Sequence, residues 1–111
     1  MGFQRGQITE VKEVFHQVKA NFKPGQITRD VVFNFIIDGE LWTVALRRES
    51  CTVQENTNSE FADCTLEMPK DIFLGSFNGS YRPSMMDLFS GKIKVDRPEM
   101  LFAFKDLFGA F

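Results

Sequence analysis

The stretch "DVVFNFIIDGELWTVALRRE", from Asp30 to Glu49, limits the fold more than any other part of the chain. Two runs of β-branched and aromatic residues flank Asp38-Gly39, a dipeptide that accepts the positive φ angles of a two-residue hairpin turn. With those two residues as the loop, Ile37 faces Glu40 and the register follows: Phe35 opposite Trp42, Phe33 opposite Val44, Val31 opposite Leu46. Side chains alternate across a strand, so these residues make one continuous apolar face. The other face sets Asn34 opposite Thr43 among Val32, Ala45, Ile36 and Leu41, and reads as mixed and at least partly solvated.

The remaining elements follow from periodicity and breakers. Ile8, Val11, Phe15, Val18 and Phe22 recur at spacings of three and four, the stripe of an amphipathic helix, with Thr9 placed as its N-cap and Pro24-Gly25 as its stop. A third strand is expected near Ser50 to Gln54, then a polar loop, "ENTNSE". "FADCTLEM" reads as a fourth strand with Ala62, Cys64, Leu66 and Met68 on its apolar side. Pro69 opens a short helix through Ile72, Phe73 and Leu74, ending near Gly75 or Gly79, and Pro83 opens another over Ser84 to Phe89 that stops at Gly91. "KIKVD" is the fifth strand, and Pro98 starts a last helix, "EMLFAFKDLFGAF", apolar around most of its circumference. The order gives a single α+β domain over residues 1–111, with helices gathered on one face of a mainly antiparallel sheet.

Composition excludes several classes of function. Thirteen Lys and Arg against fifteen Asp and Glu leave a net charge of −2, which gives no footprint for nucleic acid or for a polyanionic surface. No apolar run reaches the ~20 residues of a membrane span, and the first ten residues hold no signal-like segment, so stable membrane insertion is not expected and a cytoplasmic location is. Two cysteines, Cys51 and Cys64, and the single His16 are too few soft ligands for a tetrahedral metal site, so free buried thiols and no cofactor are expected. His16 sits beside the helix stripe among Lys12, Glu13, Gln17 and Lys19, in a solvent-exposed position.

Catalytic chemistry does not announce itself. Gly91-Lys92 would need a phosphate-cradling loop between strand and helix, but residue 86 is Met rather than Gly, residue 93 is Ile rather than Ser or Thr, and the order is helix to strand. Asp87 is the only carboxylate inside an apolar run, and a charge contact near a helix start explains it. No nucleophile, base and orienting group stand at a recognisable spacing.

The thirteen Phe, against one Trp and one Tyr, are the anomaly. Phe carries no polar handle, so the excess means dry surface in a core, an interface or the wall of a cavity. Met85, Met86 and Met100 add adaptable thioether chains to the same helical segments. A filled interior and a tunnel satisfy this pattern equally.

The run "LWTVALRRE", the strand "FADCTLEM" with a short Phe-containing helix after it, and "MMDLFSGKIKV" leading into an "LF" helix resemble the sterol carrier protein type-two family in their order. The resemblance covers about Ile8 to Phe108. It implies a five-stranded sheet in which the fourth strand crosses over to lie beside the first, and an apolar tunnel between sheet and helices that takes fatty acyl chains, acyl-CoA or sterols. Carried over by position, the tunnel wall would be Phe33, Phe35, Trp42, Val44, Leu66, Phe73, Met85, Phe89, Leu101 and Phe104. The implied crossover also separates Cys51 from Cys64, which a simple hairpin centred on Thr57-Asn58 would set opposite each other. Asp96-Arg97-Pro98-Glu99 departs from the family pattern, where a Gly usually follows the fifth strand. The peroxisomal C-terminal signal of the eukaryotic transfer proteins is also missing, which weakens a sterol as the ligand.

Taken together, the sequence predicts a non-catalytic carrier of a hydrophobic small molecule. The alternative is an interaction module whose C-terminal apolar helix packs on an enzyme partner or on a second copy in a homodimer.

Overall fold

The computed structural model describes residues 9–25, 27–78 and 85–100, apart from the side chains of Met85 and Leu88. Its elements are α1 (Val11–Asn21), β1 (Val31–Ile37), β2 (Glu40–Leu46), β3 (Cys51–Glu55), β4 (Cys64–Met68), α2 (Lys70–Asn78), α3 (Met85–Ser90) and β5 (Lys94–Val95). The five strands form one sheet in the order β3-β2-β1-β4-β5. β1 runs parallel to β4, and the other neighbouring pairs are antiparallel.

The hairpin adopts the register its sequence dictates, from Val31↔Leu46 to Ile37↔Glu40. Asp38 and Gly39 both take positive φ, 49° and 85°, so the turn twists with the strands it joins. The register carries the apolar face across the sheet: Phe33 pairs with Val44 and Cys64, Phe35 with Trp42 and Leu66, and Leu66 with Val95. Val14, Phe15 and Val18 of α1 and Ile72, Phe73 and Phe77 of α2 bury with this face in one core.

The crossover from β3 to β4 is built on the opposite face. Asn56 N–H donates to the Leu41 carbonyl at 2.8 Å, so the chain leaves the sheet edge still paired. The Thr43 hydroxyl lies 2.9 Å from the Thr57 carbonyl, and Asn58 Nδ2 donates to the Trp42 carbonyl at 3.0 Å. The Asn34 side chain then imitates a strand partner, accepting from Ser59 N–H and donating to the Ser59 carbonyl, both at 2.9 Å. At the far side, Asp63 N–H donates to the Val32 carbonyl and the Asp63 carboxylate accepts from Val32 N–H, each at 2.8 Å. Asn34 and Thr43 are buried by this strap, where their sequence context suggested a partly solvated face.

Several boundaries differ from the sequence expectation. Glu10, in extended conformation, occupies the N-cap of α1 and makes no side-chain capping bond, so Thr9 is not the cap. Ser50 belongs to the turn closed by Arg47 N–H to its carbonyl, which moves the start of β3 to Cys51. β4 starts at Cys64 because Asp63 is spent on the crossover, whereas α2 runs through a buried Gly75 to Asn78, the later of the two ends expected for it. Ser76 Oγ donates to the Ile72 carbonyl at 2.7 Å inside that helix. Asp96 takes up part of the work expected of a longer β5: its N–H donates to the Thr65 carbonyl at 3.3 Å and its carboxylate accepts from Thr65 N–H at 2.8 Å. Residues 98–100 are helical, and the remainder of the expected last helix lies outside the described residues.

Candidate functional site

On the inner face of β1, Phe33, Phe35 and Ile37 are fully buried and Val31, at the strand's start, is half-buried. Phe15 of α1 sits at the centre of the aromatic contacts. Its ring stacks on Trp42 with centroids 4.4 Å apart, meets Phe35 edge-on at 5.3 Å, and stacks on Phe73 at 5.4 Å. Phe35 meets Phe73 edge-on at 5.9 Å, and Phe73 continues to Phe77 at 5.1 Å. These offset and edge-to-face arrangements are the ones aromatic quadrupoles favour. They join β1, β2, α1 and α2 in one aromatic cluster. Over β4 and β5, the face continues as Cys64, Leu66 and Val95, with Ile93 buried and Met100 half-buried against the same cluster.

The wall residues implied by sequence therefore divide into three groups. Phe33, Phe35, Trp42, Val44, Leu66 and Phe73 come together in the buried cluster. Phe89 stands apart from them on the surface, 76% exposed. Leu101, Phe104 and the Met85 side chain lie outside the described residues. Phe15 is the principal member that the sequence reading did not include: the helix stripe showed that it would be buried, but periodicity does not say against what.

Both thiols are free and buried. Burial pushes Cys51 up to about 11 and Cys64 up to about 12, the latter raised further by the neighbouring Asp96 carboxylate. Neither is a nucleophile near neutral pH, since the thiolate is the reactive form. Cys51 lies on the edge strand and Cys64 on β4 with β2 and β1 between them, so the hairpin pairing that would bring them together is not made. Among the described residues, no group of three His, Cys, Asp or Glu could hold a metal ion, and no helix is long and apolar enough to cross a membrane. The ion pairs Lys12–Glu55, Arg29–Asp63 and Arg47–Asp30 lie at 3.7–4.0 Å on the surface. At such exposure they contribute little to stability.

No protein-family model and no curated protein sequence matches the chain. Solved structures do. A region of the inverting sec-alkylsulfatase Pisa1 from Pseudomonas sp. superposes with a TM-score of 0.75 and 16% identity, covering 97% of this chain and 18% of that one. This chain therefore spans less than a fifth of the sulfatase. Palmitated SCP2L2 from Aedes aegypti gives 0.62 at 21% identity, covering 86% of this chain and 89% of that one. The crystal structure of Sterol Carrier Protein 2 Like 2 from Aedes aegypti gives 0.51 at 16%, with 84% and 90% covered. The chain thus has the sterol carrier protein 2-like fold, an α+β domain with a five-stranded mixed sheet containing one parallel pair.

Proposed function

We propose that the chain is a non-catalytic carrier that holds the apolar tail of a fatty acid, acyl-CoA or sterol-like lipid between its sheet and its helices. One observation carries the reading: the apolar face of the sheet, from Phe33 and Phe35 to Leu66, is buried under α1 and α2 in one aromatic cluster that reaches Met100. An acyl chain would lie against that face, with Met85, Leu101 and Phe104 as the further wall residues the resemblance implies. The palmitated SCP2L2 structure supports the choice of ligand class. Burying methylenes at ~0.8 kcal/mol each amounts to on the order of 10 kcal/mol for a sixteen-carbon chain before ordering costs, enough for micromolar binding. Nothing charged is needed in the wall, which agrees with the raised, inert thiols.

The sole tryptophan gives a direct assay, because Trp42 lies in the cluster. Titration with a polyene fatty acid whose absorption overlaps tryptophan emission should quench Trp42 saturably, with one equivalent bound. A folded protein that shows no saturable transfer would refute the carrier. The match to a region of a larger enzyme supports a second reading, a module that serves a partner through its apolar helices. Native mass spectrometry separates the two, since it reports a retained lipid and the subunit number in one spectrum.

A further inference from the structure

The sheet ends on one side at β3, where five residues form an edge, against the two residues of β5 on the other side. Arg47 N–H donates to the Ser50 carbonyl and Asn56 N–H to the Leu41 carbonyl, each at 2.8 Å, which fixes the phase of the ladder between β2 and β3. Paired residues of an antiparallel ladder alternate between bonding each other and facing outward. Thr52 and Gln54 therefore turn their peptide groups toward β2, and Cys51, Val53 and Glu55 turn theirs away from the sheet. Among the described residues, no hydrogen bond reaches these three outward-facing groups.

Positive charge follows this edge along its length. Lys12 Nζ of α1 lies 4.0 Å from Glu55 Oε1, and Lys19 stands close enough to Cys51 that its charge works against the upward push of burial on that thiol. The helix thus passes β3 from the Glu55 end to the Cys51 end, with exposed Lys12 and Lys19 on one stripe two turns apart, about 10 Å by helix rise. Beyond the helix, Gly25 N–H donates to the Arg48 carbonyl at 2.8 Å, which brings exposed Lys23 and Arg48 to the Cys51 end. The carboxylates on β3 and its turn are Glu49 and Glu55, and Lys12 already holds Glu55. Glu10 precedes the strip at the helix N-cap, and Glu13 is turned round the helix, where it accepts from Gln17 Nε2 at 3.3 Å. The edge is positive on a chain whose net charge is −2.

We propose that β3 accepts an extended, acidic segment of a partner protein as an added strand, whose backbone bonds to Cys51, Val53 and Glu55 and whose carboxylates meet Lys12 and Lys19. Strand addition takes its affinity from the main chain and its selectivity from side chains at alternate positions. An added strand would lie about 4.8 Å beyond β3, and carboxylates four residues apart along it span about 13 Å, close to the separation of the two lysines. A segment with Asp or Glu at every second position therefore matches the strip. A second copy matches it poorly. Pairing β3 with itself about a two-fold axis keeps both α1 helices on one side of the sheet and sets Lys12 of each copy against Lys19 of the other. Lysines beside an open edge oppose such self-pairing. This surface goes beyond the carrier reading, and neither depends on the other.

The test is titration of the full chain into a fluorescein-labelled peptide of about eight residues that alternates Thr and Glu, read by anisotropy. Saturable binding is expected, weakening as salt is raised. In hydrogen exchange, the peptide should slow the amides of Cys51, Val53 and Glu55 by about tenfold or more and leave Thr52 and Gln54, already bonded to β2, nearly unchanged. Lys12→Glu with Lys19→Glu should weaken binding by about tenfold or more. Val53→Pro should weaken it comparably, since it removes an outward donor and leaves the ladder to β2 intact. Circular dichroism of each variant certifies the fold. The parent peptide N-methylated at the amides of its pairing edge keeps its charge but loses its donors, and should bind far more weakly to the wild type. Absence of saturable binding by the wild type overturns the proposal. So does equal binding of the N-methylated peptide, which would reduce the contact to charge alone, or of a peptide alternating Thr and Lys, which would remove the preference for acid. A concentration-dependent dimer that protects the same three amides without peptide also overturns it, and would give the edge to a second copy.

Discussion

The two faces of the sheet are fastened by different physics. On the inner face, Phe15, Phe33, Phe35, Trp42 and Phe73 bury together without a single polar atom having to find a partner, apart from the indole N–H. Such packing is strong but weakly directional, and tolerates changes of shape better than changes of volume. On the outer face, Asn34, Thr43, Asn58 and Asp63 hold a loop through hydrogen bonds whose donors and acceptors are each matched. Each bond there contributes little, but the set admits only one path for the crossover. The inner face supplies most of the stability and the outer face selects the topology.

Breaking the inner face should cost the most. Phe35→Ala removes a fully buried ring that contacts both Phe15 and Phe73, and should lower stability by about 3–5 kcal/mol in urea denaturation. Asn34→Ala leaves Ser59 N–H and its carbonyl without their partners under the strap, and should cost about 1–3 kcal/mol. It should also increase hydrogen exchange at residues 57–59 more than at β1 or β2, whereas Phe35→Ala should raise exchange throughout. Equal and uniform exchange in both variants would erase the distinction between the faces.

The cysteines give a smaller, pH-dependent effect. Both thiols titrate higher in the folded protein, at about 11 and about 12, than the ordinary 9.0. The unfolded chain therefore loses these protons first, so stability should be level below pH 9 and fall as pH rises from there through 11 to 12. Replacing both by Ala should flatten that limb relative to the wild type. Near neutral pH, mild oxidation of the native protein should give no intramolecular disulfide, since two strands separate the sulfurs; its formation would contradict the strand order.

Most of the inner face was legible because a two-residue turn at Asp38-Gly39 fixes which side of every following residue is buried. The position of β4 was legible only through the ordered family resemblance, since nothing in "FADCTLEM" itself distinguishes a parallel neighbour of β1 from a hairpin partner of β3. The strap was not legible. Asn34 and Thr43 look like solvated residues until Ser59 and Thr57, separated from them by an intervening strand and loop, are known to lie across them. Phe15 illustrates the same limit for the site, because a helix stripe predicts burial but not the Trp42 ring on which this one stacks.

The parallel pairing of β1 with β4 also sets an order of events in folding. The β1–β2 hairpin closes over two residues, whereas joining Phe33 to Cys64 requires the whole intervening chain to be gathered first. Loop-closure entropy makes such a distant contact late, and a fold with many of them slow. The hairpin, β3 and α1 can associate before β4 arrives, but the half of the interior walled by Leu66 and α2 cannot exist until it does. The interior proposed to hold lipid is therefore not enclosed until β4 has joined β1. A nascent chain would expose its greasiest surface until the strap at Asn34 has drawn β4 home.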